Sequence, residues 1–346
     1  MNYEVNRVKA RKRNKKFSGS GMGQYISDWL ESKHRRLAES TFTNYRAKAR
    51  LVDQYFKRSN LQSLRKKDMK NFISYLDKYG YSNKTINEYL IVLRGVLDDI
   101  VEDGVLDKNP MSDICNLPTL KPDPDPFERN EISAINAACP DFCSEIAMFQ
   151  LGIFTGLRVS ELLGLAWEDI SLEDGTLHVS RAKVQGKLKA PKNKKSKRLI
   201  RLTPSSINLL KRLKELYLGM RSKTYSMTLE DNKTKVRVKL SMVFINSNTG
   251  KPITNESHYA KYFLKPLLAR AGVRYRGPNN TRHTFASQML TRGVNLAWIA
   301  AQLGHESTAM LFKHYGKYIQ KDAPDYSDIQ ESVFQSFDAP PLQRAS

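Results

Sequence analysis

Apolar residues recur at helical spacing through two long stretches of the chain, and a short block of prolines separates them. From Gln24 to Asp113, the segments QYISDWLESK, ESTFTNYRAKARLVDQYF, RKKDMKNFISYLDKYG and SNKTINEYLIVLRGVLDDIVEDG place apolar side chains three and four residues apart. That period predicts four or five short amphipathic helices. Ser40, Ser63 and Ser82 stand where N-caps are wanted, and Gly80 and Gly104 where helices should stop. Beyond the break, RNEISAINAAC, SEIAMFQLGIFTG and VSELLGLAWEDI read as helices again. GTLHVSRAKV, GKLKAP and KRLIRLTP instead alternate apolar and polar residues around turns, which predicts a small antiparallel sheet. Helix resumes at SSINLLKRLKELYLGM, pauses through a polar, Lys-rich stretch to MVFINSNTGKPIT, and continues from Glu256 to about Tyr318. The expected fold is mainly α with a small antiparallel β-sheet.

The break itself is LPTLKPDPDPF, with four prolines in eleven residues. Proline can neither continue a helix nor donate to a sheet, so residues 117–127 are expected to be a linker. The remaining divisions follow from it: a basic arm and Gly/Ser linker over 1–21, a helical domain over 22–116, a second domain over 128–322 and a frayed tail over 323–346.

Charge narrows the partner. Lys and Arg outnumber Asp and Glu by 57 to 35 in the 346 residues, a formal charge of +22, which favours a polyanion and above all nucleic acid. RVKARKRNKK, residues 7–16, has seven basic residues, among them Arg11, Lys12 and Arg13, and no acidic one. It fits a solvated tail and a DNA-contacting arm equally well. On the polar faces of the first helices, Arg46, Lys48, Arg50, Lys66, Lys67, Lys84 and Arg94 suit a module that grips phosphates. No apolar run reaches the roughly 20 residues of a membrane span, and the N-terminus lacks a signal-peptide core, so no membrane partner and a cytoplasmic location are expected. Cys115, Cys139 and Cys143 are too few for a disulfide framework and too poorly spaced for zinc; they read as reduced thiols.

Three segments carry candidate chemistry. In TGLRVSELLGLAWEDI, Gly156 permits a turn before a helix whose apolar stripe includes Val159, Leu162, Leu163 and Leu165, and Arg158 opens that helix away from the stripe. Glu161 follows three residues later on the same face. In RHTFASQML, Arg282 and His283 precede the expected core residues Phe285, Met289 and Leu290. In LGHESTAM, Gly304 frees the chain to turn and present His305, and Tyr315 follows ten residues on. Two guanidiniums can clamp the nonbridging oxygens of a phosphodiester, and a phenol can attack its phosphorus without any metal or cofactor.

TGLRVSELLGLAWEDI, APKNKKSKRLIRL, TRHTFAS, LGHESTAM and HYGKYI, in that order, resemble the tyrosine recombinase family, especially phage-type integrases. The module from Gln24 to Asp113 with DKNPMSDI is similar to that family's helical core-binding domain. The resemblance implies an α+β catalytic domain in which Arg158 and Arg282 clamp the phosphate, Glu161 supports the first of them and His305 hydrogen-bonds the scissile phosphate. Tyr315 would be the nucleophile, with Tyr318 the fallback, and Phe285, Leu290, Trp298 and Leu303 would pack the helices carrying the site. A catalytic lysine in the turn between the second and third strands would be Lys192, a general acid toward the 5′ oxygen. Lys187, Lys189, Lys194 and Lys195 crowd the same loop, and Lys194 and Lys195 are expected to face DNA. His283 would support the site.

The sequence departs from the family's pattern in two places. His314 stands where many relatives have the tyrosine, one residue before Tyr315, and Asn279 stands where most carry a histidine. Asparagine cannot take a proton but can hydrogen-bond a phosphate oxygen. What the family implies is a homotetramer on double-stranded attachment sites, with a DNA-bending or directionality factor as a possible accessory, integrating or excising a mobile element. A dimer resolvase of Xer type and an inactive DNA-binding regulator of the same fold are the rival readings.

Overall fold

In a computed structural model, residues 21–34, 36–120, 124–191, 196–219, 221–311 and 327 are described. The chain divides into two compact units, one over 1–122 together with 227–236, the other over 123–226 and 237–346.

The first unit is helical. α1 (Gly21–His34), α2 (Glu39–Phe56), α3 (Lys66–Lys78) and α4 (Asn83–Glu102) enclose one apolar core. α4 is its axis, because Ile86, Leu90, Leu93, Leu97 and Ile100 follow the helical period and are fully buried. Each such side chain contributes about 1.5–3 kcal/mol by leaving water. Ser82 accepts from the backbone of Thr85 and caps α4 as the sequence predicts. Ser40 and Ser63 do not cap: Ser40 lies inside α2, whose N-cap is Ala38, and Ser63 ends a 3₁₀ turn before the N-cap Arg65 of α3. Gly80 and Gly104 take positive φ where α3 and α4 end. Asn87 then holds the chain leaving this unit by exchanging two hydrogen bonds with the backbone of Leu117, at 2.8 and 2.9 Å.

The second unit mixes helices with three small sheets. α5 (Arg129–Ala137), α6 (Ser144–Thr155) and the short α7 (Val159–Gly164) come first. α6 is apolar on nearly every side and runs through the core. β1 (Ile170–Ser171), β2 (Thr176–Val179) and β5 (Arg198–Arg201) form an antiparallel sheet in the order β1-β2-β5, with Leu177 opposite Ile200. Between them, β3 (Ala182–Val184) and β4 (Lys187–Lys189) form a hairpin. After α8 (Pro204–Leu216), β6 (Lys223–Thr228) and β7 (Lys235–Leu240) extend that hairpin to a four-stranded sheet, and β8 (Ile245–Asn246) pairs with β9 (Lys251–Pro252). The fold is therefore mainly α with small sheets, but the single sheet expected is in fact divided. The polar stretch read as a pause holds β6 and β7, whose exposed lysines and arginine alternate with half-buried Tyr225, Val236 and Val238.

α9 (Glu256–Tyr259), a π-helical turn over Ala260–Leu264 and α10 (Lys265–Arg270) make one continuous rod. α11 (Asn280–Thr291) and α12 (Leu296–Leu303) follow. α11 lies so close to α6 that a Cβ on Gly152 would sit 2.7 Å from Thr281 Oγ1. Thr284 on α11 also accepts from the backbone of Phe127, at 2.9 Å. No helix among the described residues is long and apolar enough to cross a membrane.

Candidate active site

Two helix ends and one strand assemble the candidate chemistry. α6 ends at Gly156 and α12 at Gly304, both with positive φ (68° and 66°). Those left-handed turns leave carbonyls without partners in their own helices. Arg282, only 4% exposed, fills the gap: Nη1 donates to Gly156 O at 2.9 Å and Nη2 to Leu303 O at 2.7 Å. The same Nη2 lies 2.8 Å from His305 Nε2. A guanidinium has only donors, so the imidazole Nε2 is the acceptor in this contact.

Arg158 is the N-cap of α7, as the sequence places it, and Val159, Leu162, Leu163 and Leu165 are buried. Its Nη1 donates to Glu161 Oε1 at 2.8 Å while its backbone N–H donates to Oε2 at 2.9 Å. Glu161 is 6% exposed and receives two further bonds, from Arg198 Nη1 at 3.2 Å and Nη2 at 3.0 Å. Burial pushes its carboxyl upward, but the charge and hydrogen bonds of Arg198, reinforced by Arg158 and Arg282, outweigh that and hold it below the ordinary glutamate value.

The structure thus bonds Arg158 to Glu161 and His305 to Arg282, and the Glu161 carboxylate also feels the charge of Arg282. His283 is half-buried on α11 beside it in sequence. The Oδ1 of Asn279 accepts from Val159 N at 3.2 Å and its Nδ2 donates to Glu256 Oε1 at 3.2 Å. Burial raises the carboxyl of Glu256. Phe285 and Leu303 are buried and Leu290 is partly so, while Trp298 is half exposed with its ring 6.4 Å from that of Phe285. Lys192, Lys194, Lys195, Tyr315, Tyr318, Arg11, Lys12 and Arg13 lie outside the described residues.

On the helical unit, Lys66, Lys67, Lys84 and Arg50 are exposed and Arg46 is half-buried. Lys48 pairs with Glu88 at 3.4 Å and lies over the Tyr89 ring, and Arg94 donates to Ile114 O at 3.0 Å. A cavity of about 430 Å³ lies apart from the cationic cluster, lined by Asn136, Phe142, Phe154 and Arg212 among others. Among the described residues no group of His, Cys, Asp and Glu is placed to hold a metal.

Sequence reasoning missed Arg198 and Glu256. A signal for Arg198 existed: in β5 it shares the inward face with Ile200, while Leu199 and Arg201 point out. Nothing in the spacing of Glu256 marks it.

Residues 126–321 match the model of the phage integrase family, and residues 22–116 match the phage integrase SAM-like domain. The defective protein IntQ of Escherichia coli (strain K12) is 30% identical over 70% of this chain and 62% of its own length, so the chain spans under two thirds of that relative. Prophage integrase IntR of the same organism is 26% identical over 86% of this chain and 76% of IntR. Among solved structures, the Tn1549 transposon integrase in complex with a circular intermediate DNA has a TM-score of 0.68 at 18% identity, covering 90% of this chain and 98% of that one. The lambda integrase tetramer bound to a Holliday junction has a TM-score of 0.64 at 15% identity, covering 85% and 78%. The helical unit, the mixed unit and the family models that match both establish that the chain belongs to the phage integrase family, the tyrosine-type site-specific recombinases.

Proposed function

We propose that this recombinase integrates or excises a mobile element by cutting and rejoining DNA through a 3′-phosphotyrosyl intermediate. The observation that carries the reading is the pairing of Arg158 with the buried carboxylate of Glu161, which also feels the charge of Arg282, together with the contact of Arg282 with His305, in a chain of charge +22. Tyr315 Oη gives up its proton to water and attacks the phosphorus; the Tyr O–P bond forms, the bond to the 5′ oxygen breaks, and Lys192 gives that oxygen its proton. A 5′ hydroxyl of the partner strand then reverses the step. The energy of the phosphodiester is kept in the covalent link, so neither ATP nor a metal enters the balance.

Arg158 and Arg282 offset the charge of the pentacoordinate transition state. A charged phosphate oxygen is a stronger acceptor than imidazole, so on DNA the Arg282 guanidinium turns to the phosphate and His305 becomes a donor to it. Asn279 acts indirectly, by holding the start of α7 and hence Arg158. Two rounds of exchange between two duplexes use four sites, which calls for a homotetramer in the cytoplasm of the host cell, with a DNA-bending or directionality factor as accessory. The exposed Lys66, Lys67 and Lys84, with Arg46, would contact phosphates of the core site, and Arg11, Lys12 and Arg13 would reach further DNA.

The test is covalent capture. Wild type, Tyr315→Phe and Tyr318→Phe are incubated in EDTA with a library of nicked random duplexes, and DNA joined to protein through a 3′ phosphate is recovered and sequenced. Capture by wild type and Tyr318→Phe, but not by Tyr315→Phe, is the expected result. Wild type that binds duplexes yet captures none would overturn the reading in favour of a regulator of the same fold.

A further inference from the structure

Arg198 is a buried cation to which no role in strand transfer has yet been given. Its side chain is 7% exposed and its hydrogen bonds join three elements. From β5, Nη1 and Nη2 grip both oxygens of Glu161 on α7, Nε donates to Gln302 O on α12 at 2.7 Å, and Nη1 also reaches Ser196 O at 3.2 Å. Gln302 in turn donates from its side chain to Thr155 O at the end of α6. Gln302 stands one residue before the Leu303 carbonyl that holds Arg282, and three before His305.

Resting on the recombinase reading above, we infer that Arg198 is a positioning residue for strand transfer: through Glu161 it fixes the Arg158 guanidinium, and through Gln302 it fixes the turn that carries His305. Glu161 has two oxygens, and Arg158 approaches one of them with a side chain that is 37% exposed. Without the Arg198 fork, the carboxylate keeps, among the described residues, only the bonds from Arg158 itself, Nη1 to Oε1 and the backbone N–H to Oε2, and nothing ties the pair to β5 or α12. The planar guanidinium of Arg198 meets the carboxylate bidentately and keeps Nε for a carbonyl at right reach. A lysine there has one charged nitrogen and cannot hold both the carboxylate and the α12 carbonyl. Arg198 touches no reacting atom in this account; it sets where those that do are held.

The experiment uses the full chain and the DNA recovered by covalent capture. Arg198→Lys and Arg198→Gln are compared with wild type for duplex binding and for the single-turnover rate of adduct formation at saturating DNA, across pH. Binding should be unchanged. The rate at neutral pH should fall about 10- to 100-fold in both, the range expected when a charge-assisted fork is lost. Lysine should not rescue it. The carboxyl of Glu161 faces Arg158, Arg198 and Arg282; removing Arg198 weakens the strongest of these pairings, so the acid limb of the rate profile should move to higher pH in Arg198→Gln. A merely structural loss would lower the amount of active protein and leave the limb in place.

The double variant Arg198→Gln/Glu161→Gln should lose no more rate than Glu161→Gln alone, since the two act as one unit. Wild-type adduct rates in Arg198→Gln, an unmoved limb, or losses that simply multiply in the double variant would overturn the inference and leave the recombinase reading intact. A wild type that forms no adduct would overturn both.

Discussion

The two units use positive charge in opposite ways. In the helical unit Lys67 and Lys84 stand in solvent on the outside of a sealed apolar core. In the mixed unit Arg198 and Arg282 are sunk beneath the surface, with donors assigned to particular carbonyl and carboxylate oxygens. A solvated lysine can follow a phosphate wherever it lies and releases counterions on contact, which gives affinity without geometry. A buried guanidinium must replace its lost water with fixed acceptors, and those acceptors dictate its direction. Gripping DNA asks for the first kind of cation, and stabilising charge at one phosphorus atom asks for the second.

The comparison breaks most visibly at Arg282. Replacing it with alanine should lower the single-turnover adduct rate at least about 100- to 1,000-fold, the range for losing a preorganised charge-stabilising donor, while duplex binding persists. Loss of binding in parallel with rate would show that the buried cations supply grip after all.

Glu161→Gln tests how the buried cations are held. Leaving Arg198 against a neutral amide should cost about 3–5 kcal/mol, measured by urea unfolding at neutral pH. Because the folded-state carboxyl lies below its ordinary value of 4.5, its stabilisation is complete above that value and is lost as pH falls through the folded-state value. The gap between wild type and variant should therefore stay level down to the ordinary value and narrow in stronger acid; a gap that widens there would contradict the assignment.

The smallest expected effect lies on the other side of the comparison. Lys67→Ala and Lys84→Ala should each reduce the slope of log affinity against log salt by about 0.9, the share of one phosphate contact, and leave the adduct rate at saturating DNA unchanged. An altered rate at saturation would mean that these lysines do more than hold.

What could be read from the sequence follows from how local each cause is. The glycines at 80, 104, 156 and 304 were legible because a positive φ after a helix is a one-residue requirement, and all four meet it. Ser82 was legible as a cap, but Ser40 and Ser63 were not excluded, since a serine near a helix start looks the same whether the helix begins before or after it. β6 and β7 were hidden by their own lysines: the eye sees charge, while the half-buried Tyr225, Val236 and Val238 between them mark the strands. Trp298 has core spacing and yet lies half exposed. In the candidate site, Arg158 with Glu161 is a contact three residues apart and was visible; Arg198 with Glu161 spans 37 residues and needed the fold. Asn279 stands out in the sequence, but neither it nor Glu256 alone signals the bond between them, which spans 23 residues.

The hold on Arg282 has a further meaning for the protein's history. Two of the atoms that fix the guanidinium are main-chain oxygens, at Gly156 and Leu303, and every amino acid supplies that atom. Side chains around the two helix ends can drift while the ends themselves stay put, and the cation keeps its bearings. A lineage built this way can change its surface without rebuilding the candidate site beneath it.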